Sequence, residues 1–235
     1  MNAAIVGIAF VCYAMLVFTL KRVTYPKHAE PLPPFPNTWE QGHEYTLMFS
    51  QDFWWAKRFK SRIKHFRPED LRSTILKTYV QTNNKLNFWV SLAFTAALFC
   101  LYTPIDQSVL LELLLAMGVI RFISRSFEIT YAFGRDVLQN STSATGLNKF
   151  ERVRLALVSY AEIFVYSAAA YLSLPKVDGR LDALTVSLSV GTLTNVGFAF
   201  PNKDFLSWRI LVFVQVFTTL SLVVLSLASY LSRQE

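Results

Sequence analysis

The chain has 235 residues, of which 53% are hydrophobic, 15% aromatic and 17% charged. A soluble globular domain carries about 25% charged residues, so this composition, with a mean hydropathy of +0.33, excludes an ordinary soluble domain and indicates an integral membrane protein. The formal net charge of +7 lies mostly between the apolar segments, where cytoplasmic loops carry their basic residues. We therefore expect membrane lipids rather than nucleic acid as the partner of this charge.

The sequence contains no motif typical of a metal site or of a catalytic site. Cys12 and Cys100 lie inside apolar runs and are interpreted as packing residues. The histidines His28, His43 and His65 are dispersed and form no pattern typical of a metal site. The sequence contains neither a nucleophile with a neighbouring base nor a phosphate-binding loop, so no motif indicates an enzyme. We expect no catalytic residues, no cofactor, and no metal beyond a transported cation.

Five apolar segments are long enough to cross, or nearly cross, a bilayer whose core needs about 20 helical residues. The first ends directly in Lys21-Arg22 and has no cleavage site, which is typical of an uncleaved anchor. The third is short and contains Glu112. The predicted class is an all-α integral membrane protein of about five transmembrane helices plus a re-entrant element. The spans are Ala3–Leu20, Phe88–Tyr102, Gln107–Ile120, Val153–Leu174 and Trp208–Leu231.

The distribution of basic residues predicts the orientation. Residues 21–86 carry twelve Lys and Arg against six acids, residues 121–154 carry six against three, and residues 175–207 carry three of each. Basic loops stay on the cytoplasmic side. The amino terminus is therefore expected outside and the carboxyl terminus inside a plasma membrane or a bacterial inner membrane. The predicted units are an anchor (1–20), a cytoplasmic basic segment (21–86), a transmembrane hairpin with a linker helix (87–148), and a carboxyl-terminal unit (149–235).

The basic segment contains an amphipathic helix, predicted over Phe53–Phe66. Apolar side chains recur there every three or four residues and cations fill the gaps. Two interpretations stay open. The helix lies on anionic lipid headgroups, or it packs on the protein's own cytoplasmic face. The apolar positions are Phe53, Ala56, Phe59, Ile63 and Phe66.

Ionisable side chains also occur in and beside the predicted spans. Arg121, Arg125 and Glu128 fall on one side of a helix that continues the third span into the cytoplasm. Two arginines are too few for a voltage sensor, so the pattern favours a solvated or ion-paired helix end. Glu112 and Glu162 lie inside spans, where an ionisable residue is a functional candidate by default. An ion pair with Arg121 or Arg125 would explain either acid equally well.

A short apolar segment, Asp182–Leu193, lies between the last two spans. Its length corresponds to about 18 Å of helix, too little to cross a bilayer. A glycine-containing stretch follows, and a full-length apolar segment begins around Arg209. This order predicts a re-entrant half-helix and then an extended strand, whose backbone carbonyls replace the water shell of a cation. Several copies of the chain would have to surround one axis.

Thr194-Asn195-Val196-Gly197-Phe198-Ala199 resembles the Thr-Thr-Val-Gly-Tyr-Gly filter of the two-helix, pore-loop potassium channels. Arg209 resembles the arginine that opens their inner helix, and the similarity covers residues 150–232, about a third of the chain. The resemblance implies that residues 149–235 form a pore module with an outer helix, pore helix, filter and inner helix. It further implies a homotetrameric channel for K⁺ or another monovalent cation.

Four positions depart from that filter pattern. Asn195 replaces a threonine, Phe198 a tyrosine, Ala199 a glycine and Phe200 an aspartate. A residue with a Cβ at a positive-φ position costs about 1 kcal/mol. The departures predict weaker discrimination between K⁺ and Na⁺. Ala199 and Phe200 also support an alternative, a non-conducting structural or regulatory subunit that keeps the channel scaffold.

The predicted topology can be tested by chemical labelling. A single cysteine introduced as Lys176→Cys and another as Ser61→Cys should react with an impermeant thiol reagent from opposite sides of the membrane, because the basic segment is expected inside. Labelling of both positions from the same side would contradict this orientation.

Overall fold

The computed structural model describes residues 2–26, 45–64, 69–103, 108–138, 146–174, 177–199 and 206–223, and within these ranges it contains helices and no strands. The predicted all-α class is confirmed. The Pro-rich stretch at 31–36, the end of the amphipathic helix at 65–66, Phe200 and residues 224–231 lie outside the described residues. The helices are α1 (Ala3–Thr24), α2 (Tyr45–Phe49), α3 (Gln51–Lys64), α4 (Glu69–Leu101), α5 (Val109–Leu138), α6 (Lys149–Tyr171), α7 (Arg180–Gly191) and α8 (Leu206–Leu220).

Four of the described helices are long and apolar enough to cross a membrane: α1, α4 from Leu71, α6, and α8 with its continuation to Val223. The chain therefore has the helices of a multi-pass membrane protein. The predicted third span lies within α5, whose 30 residues extend over about 45 Å. Its apolar half carries three charged residues, Glu112, Arg121 and Arg125, and for this reason it is not one of the four candidate spans.

Contacts along α6 define two ends of the helix bundle, named here the Arg152 end and the Tyr171 end. Helix α5 runs antiparallel to α6, because Arg152 pairs with Asp136 and, about three turns nearer the Tyr171 end, Glu162 pairs with Arg125. Side-chain contacts between the other long helices show their relative directions in the same way. Successive long helices α1, α4, α5, α6 and α8 alternate in direction.

Helix α4 is continuous across the boundary that the sequence suggested at residues 86 and 87. No glycine or proline interrupts the chain between Glu69 and Leu101, so the predicted cytoplasmic helix and the second span form one helix. It runs parallel to α6. Gln81 contacts Glu151 near the Arg152 end, and nearer the Tyr171 end Thr95 donates to the Val165 carbonyl at 3.2 Å.

Helix α3 begins in the middle of the bundle. Ser50 caps its first turn by accepting from the Phe53 amide at 3.1 Å, and its hydroxyl donates to the Ser124 carbonyl at 2.7 Å. Gln51 reaches the Phe10 carbonyl halfway along α1. The helix then runs toward the Arg152 end, where Phe59 packs in a cluster with Ile63, Leu76 and Tyr79.

The apolar stripe of α3 is therefore packed inside the protein. Phe53, Ala56, Phe59 and Ile63 are all buried, so the packed-helix interpretation describes this stripe. The depth of α3 differs from the expectation of a helix confined to a cytoplasmic segment. Contact between its basic face and anionic headgroups remains a prediction.

Helix α7 and the chain after it form a hairpin beside α6. Helix α7 runs antiparallel to α6, since Ser187 meets Ser167 at 2.7 Å and the Tyr160 hydroxyl donates to the Gly191 carbonyl at 3.1 Å. It ends halfway along α6. The chain then returns to the Tyr171 end, where Trp208 stacks on Tyr171 with ring centroids 6.2 Å apart. The predicted half-length helix is confirmed, and Arg209 lies in the first turn of α8.

A glycine allows this close packing. A Cβ added to Gly191 would lie 2.3 Å from a ring carbon of Phe164 and 2.7 Å from the Gln215 amide nitrogen. Gly191→Ala should destabilise the folded protein by about 1–3 kcal/mol, because the core around it has no space to expand. The measurement is thermal or chemical unfolding of purified protein in detergent.

The matched control is Gly134→Ala in α5, where a Cβ would meet nothing within 4 Å. This variant should be stabilised by about 0.5–1 kcal/mol, as expected for alanine in place of glycine within a helix. A Gly191→Ala protein as stable as the wild type would contradict the packing of α7 described above.

Candidate functional site

Six ionisable side chains lie together at the centre of the bundle, each 4% exposed or less. They come from α1, α3, α5 and α6, and the three bases balance the three acids. Moving a single charge out of water costs several kcal/mol unless the charge is paired and hydrogen-bonded. The six residues, called here the ion-pair network, are Lys21, Asp52, Arg121, Arg125, Glu128 and Glu162.

Arg125 occupies the centre of the network. Its Nε and Nη2 donate to the two carboxylate oxygens of Glu162 at 2.9 and 3.0 Å, a bidentate pair. Its Nη1 donates to Glu128. Its Nη2 also donates to Asn84 Oδ1 at 3.2 Å, and the Ser159 hydroxyl donates to that same oxygen. One guanidinium therefore connects α4, α5 and α6.

Glu128 extends the network to α1. While one carboxylate oxygen accepts from Arg125, the other accepts from Lys21 Nζ at 2.9 Å. The sequence suggested that Lys21 flanks the first span at the membrane surface. The structure buries it completely, because its partner lies inside the bundle.

Asp52 and Arg121 form the part of the network nearest the Tyr171 end. Asp52 Oδ2 accepts from the Tyr13 hydroxyl and from the Ser124 hydroxyl at 2.6 Å. The Arg121 guanidinium donates to the Tyr166 hydroxyl and lies 4.4 Å from the centre of that ring. Asp52 thereby places the first turn of α3 against α1 and α5.

The sequence interpretation of Arg121, Arg125 and Glu128 was partly wrong. These residues are ion-paired, but they lie in the middle of α5 and are buried rather than solvated. The ion pair considered for Glu162 is confirmed, with Arg125 as its partner. Glu112 lies in the first turn of α5, more than two turns from the network.

A second polar cluster holds α7 between α6 and α8. Gln215, which is completely buried, donates to the Ser187 carbonyl at 2.8 Å and accepts from the Tyr171 hydroxyl at 2.7 Å. Ser187 in turn contacts Ser167 and the Phe164 carbonyl. Sequence reasoning missed Gln215. The available signal was a lone amide in the middle of an apolar segment.

The segment 194–199 has a different conformation from the predicted one. Val196–Ala199 forms a single 3₁₀ turn rather than an extended strand, so its carbonyls point along the turn. Leu193, with φ of 58°, occupies the left-handed region at the end of α7 and reverses the chain. The residues after Leu193 lead into the 3₁₀ turn, which contacts α8.

The backbone at the predicted filter does not require a glycine in the single chain. A Cβ added to Gly197 would approach only Asn195 Oδ1, at 3.9 Å. Among the described residues, Leu193 and Gly146 have positive φ, and Ala199 does not. Thr194, Asn195 and Gly197 are exposed, and the hydroxyls of Thr192 and Thr194 lie 2.8 Å apart.

Comparisons with known proteins give no relative: no protein-family model, no curated protein and no solved structure matches the chain. The ion-pair network and the α7 hairpin therefore have to be interpreted from their own geometry.

The ion-pair network makes a prediction about stability. Arg125→Met should destabilise the protein by about 3–5 kcal/mol, because it leaves the buried carboxylate of Glu162 unpaired. The double variant Arg125→Met/Glu162→Leu should be less destabilised than Arg125→Met alone, since it removes one charge of each sign. Unfolding in detergent measures both.

Lys77→Gln is the control, because Lys77 and Glu151 form a partly exposed ion pair at 2.7 Å. Pairs of this kind contribute about 0–1 kcal/mol. An Arg125→Met protein no less stable than Lys77→Gln would contradict a charged network.

Proposed function

We propose that the chain is one subunit of a homotetrameric channel for K⁺ or another monovalent cation. In this proposal α6, α7 and α8 form the pore module, and the backbone of Thr194–Ala199 lines the central path. The observation that carries the proposal is the α7 hairpin, a helix of half the bundle's depth whose carboxyl end stops beside Tyr160 before the chain returns.

The carboxyl end of α7 has the chemistry that a cation needs. The carbonyls of the last turn give a helix a partial negative charge at this end. Thr192 and Thr194 add exposed hydroxyls next to it. Four such ends around one axis would place partial negative charge on all sides of an ion, inside the low-dielectric part of the assembly where it acts most strongly.

Helices α7 and α8 also present apolar faces on which neighbouring subunits could pack. The exposed leucines of α7 recur at three- and four-residue intervals, and the exposed apolar residues of α8 alternate between the same two intervals. On a membrane protein, a row of exposed apolar side chains such as this one is covered by lipid or by another subunit. The positions are Leu181, Leu184 and Leu188 on α7, and Leu206, Ile210, Phe213, Phe217 and Leu220 on α8.

A conducting tetramer requires the 3₁₀ turn at Val196–Ala199 to become extended. The change is confined to a few backbone dihedrals around Gly197, which moves freely between these conformations because it has no Cβ. Neighbouring subunits would supply the contacts that favour the extended form. We therefore place the filter conformation in the assembled state.

The alternative is a non-conducting structural or regulatory subunit with the same scaffold. The observation that favours it is the 3₁₀ turn itself, together with alanine at position 199 and phenylalanine at position 200. In that case α7 and its polar anchors serve assembly with other membrane proteins, and no ion passes.

We further propose an orientation of the bundle in the membrane. The Arg152 end of the bundle faces the cytoplasm, the amino terminus lies outside and the carboxyl terminus inside, in a plasma membrane or bacterial inner membrane. Helix α3 approaches the Arg152 end with Lys57, Arg58 and Arg62 on its more exposed faces, where anionic headgroups would attract them.

Ion flux in liposomes tests the pore. Gly197→Ala should abolish flux, because a Cβ obstructs the close carbonyl geometry of an assembled filter, and should leave the subunit folded, because the single chain has room for that Cβ. Gly179→Ala is the matched control at a site with nothing within 4 Å, and it should conduct like the wild type. Asn195→Thr combined with Ala199→Gly should raise the preference for K⁺ over Na⁺.

The outcome separates the two candidates. A folded, tetrameric wild-type protein that passes neither ion at any voltage, pH or lipid composition would replace the channel by the non-conducting alternative. A monomeric protein would contradict the central axis itself.

A further inference from the structure

A cavity of about 150 Å³ lies between α3, α4, α5 and α6. Asp136 and Arg152 line it at one end, and Arg125, Asn84 and Ser159 line it at the other. Asp136 and Arg125 are eleven residues apart on α5, so the cavity extends about 16 Å along the helix. It therefore reaches from the Arg152 end of the bundle to the ion-pair network.

The lining of the cavity is polar enough to hold water. Asn83, at 6% exposure, has a side-chain oxygen with no protein partner among the described residues. An unsatisfied buried acceptor costs about 1–3 kcal/mol, a cost that a water molecule removes. One water needs about 10–15 Å³ of such space, so the cavity has room for several.

Buried polar atoms without a protein partner also lie beyond the cavity. Arg121 Nε and Nη1 are buried without a protein partner, and so are Asp52 Oδ1 and Asn87 Oδ1 in the described part of the chain. Two unused donors on a charged guanidinium and two unused acceptors nearby are complementary to bridging water. These atoms lie one turn of α5 farther from the Arg152 end than Arg125.

Toward the Tyr171 end the same interior is apolar. The polar side chains there, Ser91 and Thr95, already donate to backbone carbonyls. The other residues that fill the space between α4, α5 and α6 are tightly buried and belong to the main hydrophobic core. They include Leu98, Leu111, Leu115, Phe122, Ala169 and Ala170.

We propose that this cavity is a water-filled half-channel, open at the Arg152 end and closed toward the Tyr171 end, that admits water and small hydrophilic solutes to the ion-pair network. It lies inside each subunit, so the inference holds whether or not four chains form a central pore. Water at Arg125 lowers the cost of separating its ion pairs with Glu128 and Glu162. The half-channel is thus the place from which solvent on one side of the membrane reaches the contacts between α5 and α6.

The charges that line the half-channel predict which sign of small ion enters it more readily. Three bases, Lys60, Arg125 and Arg152, and two acids, Glu128 and Asp136, line the cavity, which leaves a net charge of 3 − 2 = +1. Small anions should therefore enter more readily than small cations of the same size.

Cysteine reactivity tests whether the half-channel is wet. In a Cys12→Ala/Cys100→Ala background, Ser159→Cys should react with neutral methyl methanethiosulfonate, because a thiol ionises to the reactive thiolate only where water reaches it. Ala156→Cys is the matched control, on the same helix and equally buried but in the apolar core. We expect Ser159→Cys to react on the order of 100-fold faster.

Access and charge preference are tested at the entrance with Ala132→Cys, which lines the cavity and is partly exposed. An anionic methanethiosulfonate should label it about tenfold faster than a cationic one of the same length. Labelling should occur from the side opposite to the side that labels Lys176→Cys. Gel filtration confirms that each variant is folded.

A folded Ser159→Cys protein that reacts no faster than Ala156→Cys would overturn the half-channel, since the cavity would then be dry. Labelling of Ala132→Cys from the same side as Lys176→Cys would overturn its direction.

Discussion

The bidentate pair between Arg125 and Glu162 is the constraint on which the rest of this structure depends. Through Arg125, α5 is joined to α6 by Glu162 and to α4 by Asn84, and Glu128 carries the connection to Lys21 on α1. A shift of any of these helices by one turn, about 5.4 Å, would leave a charge buried and unpaired. Hydrophobic packing tolerates many registers, whereas this network tolerates one.

The network also explains how the two halves of the chain are connected. Asp52 brings the first turn of α3 to the centre of the bundle through Tyr13 and Ser124, so the amino-terminal helices share one charge-balanced core with α6. On its other side α6 holds α7 through Ser167 and Tyr160. In the proposed channel, α6 is the outer helix of the pore module. A movement of α1 or α5 would then act on the pore through Glu162, and the half-channel would bring solvent to that contact.

Some of this arrangement could be predicted from the sequence, and the reasons are local. Apolar run length indicated the spans, and the half-length of Asp182–Leu193 indicated α7. The depth of α3 and the identity of the network partners could not be predicted, because Lys21 and Glu128 are 107 residues apart and no periodicity connects them. The need for glycine at position 191 depends on Phe164 and Gln215, which only packing brings together. The expected strand at 194–199 contains a 3₁₀ turn at Val196–Ala199, and the left-handed residue Leu193 that reverses the chain before it has no signal in the sequence.

The structure pairs Glu128 and Glu162 with bases inside the bundle, and infrared spectroscopy measures whether such carboxyl groups are ionised. A difference spectrum between wild-type protein and Glu162→Gln at neutral pH should show the loss of carboxylate stretching bands, because Glu162 accepts two hydrogen bonds from the Arg125 guanidinium. Loss of the carbonyl band of a protonated carboxylic acid instead would mean that Glu162 is neutral. The ion-pair network would then not hold the helices in register.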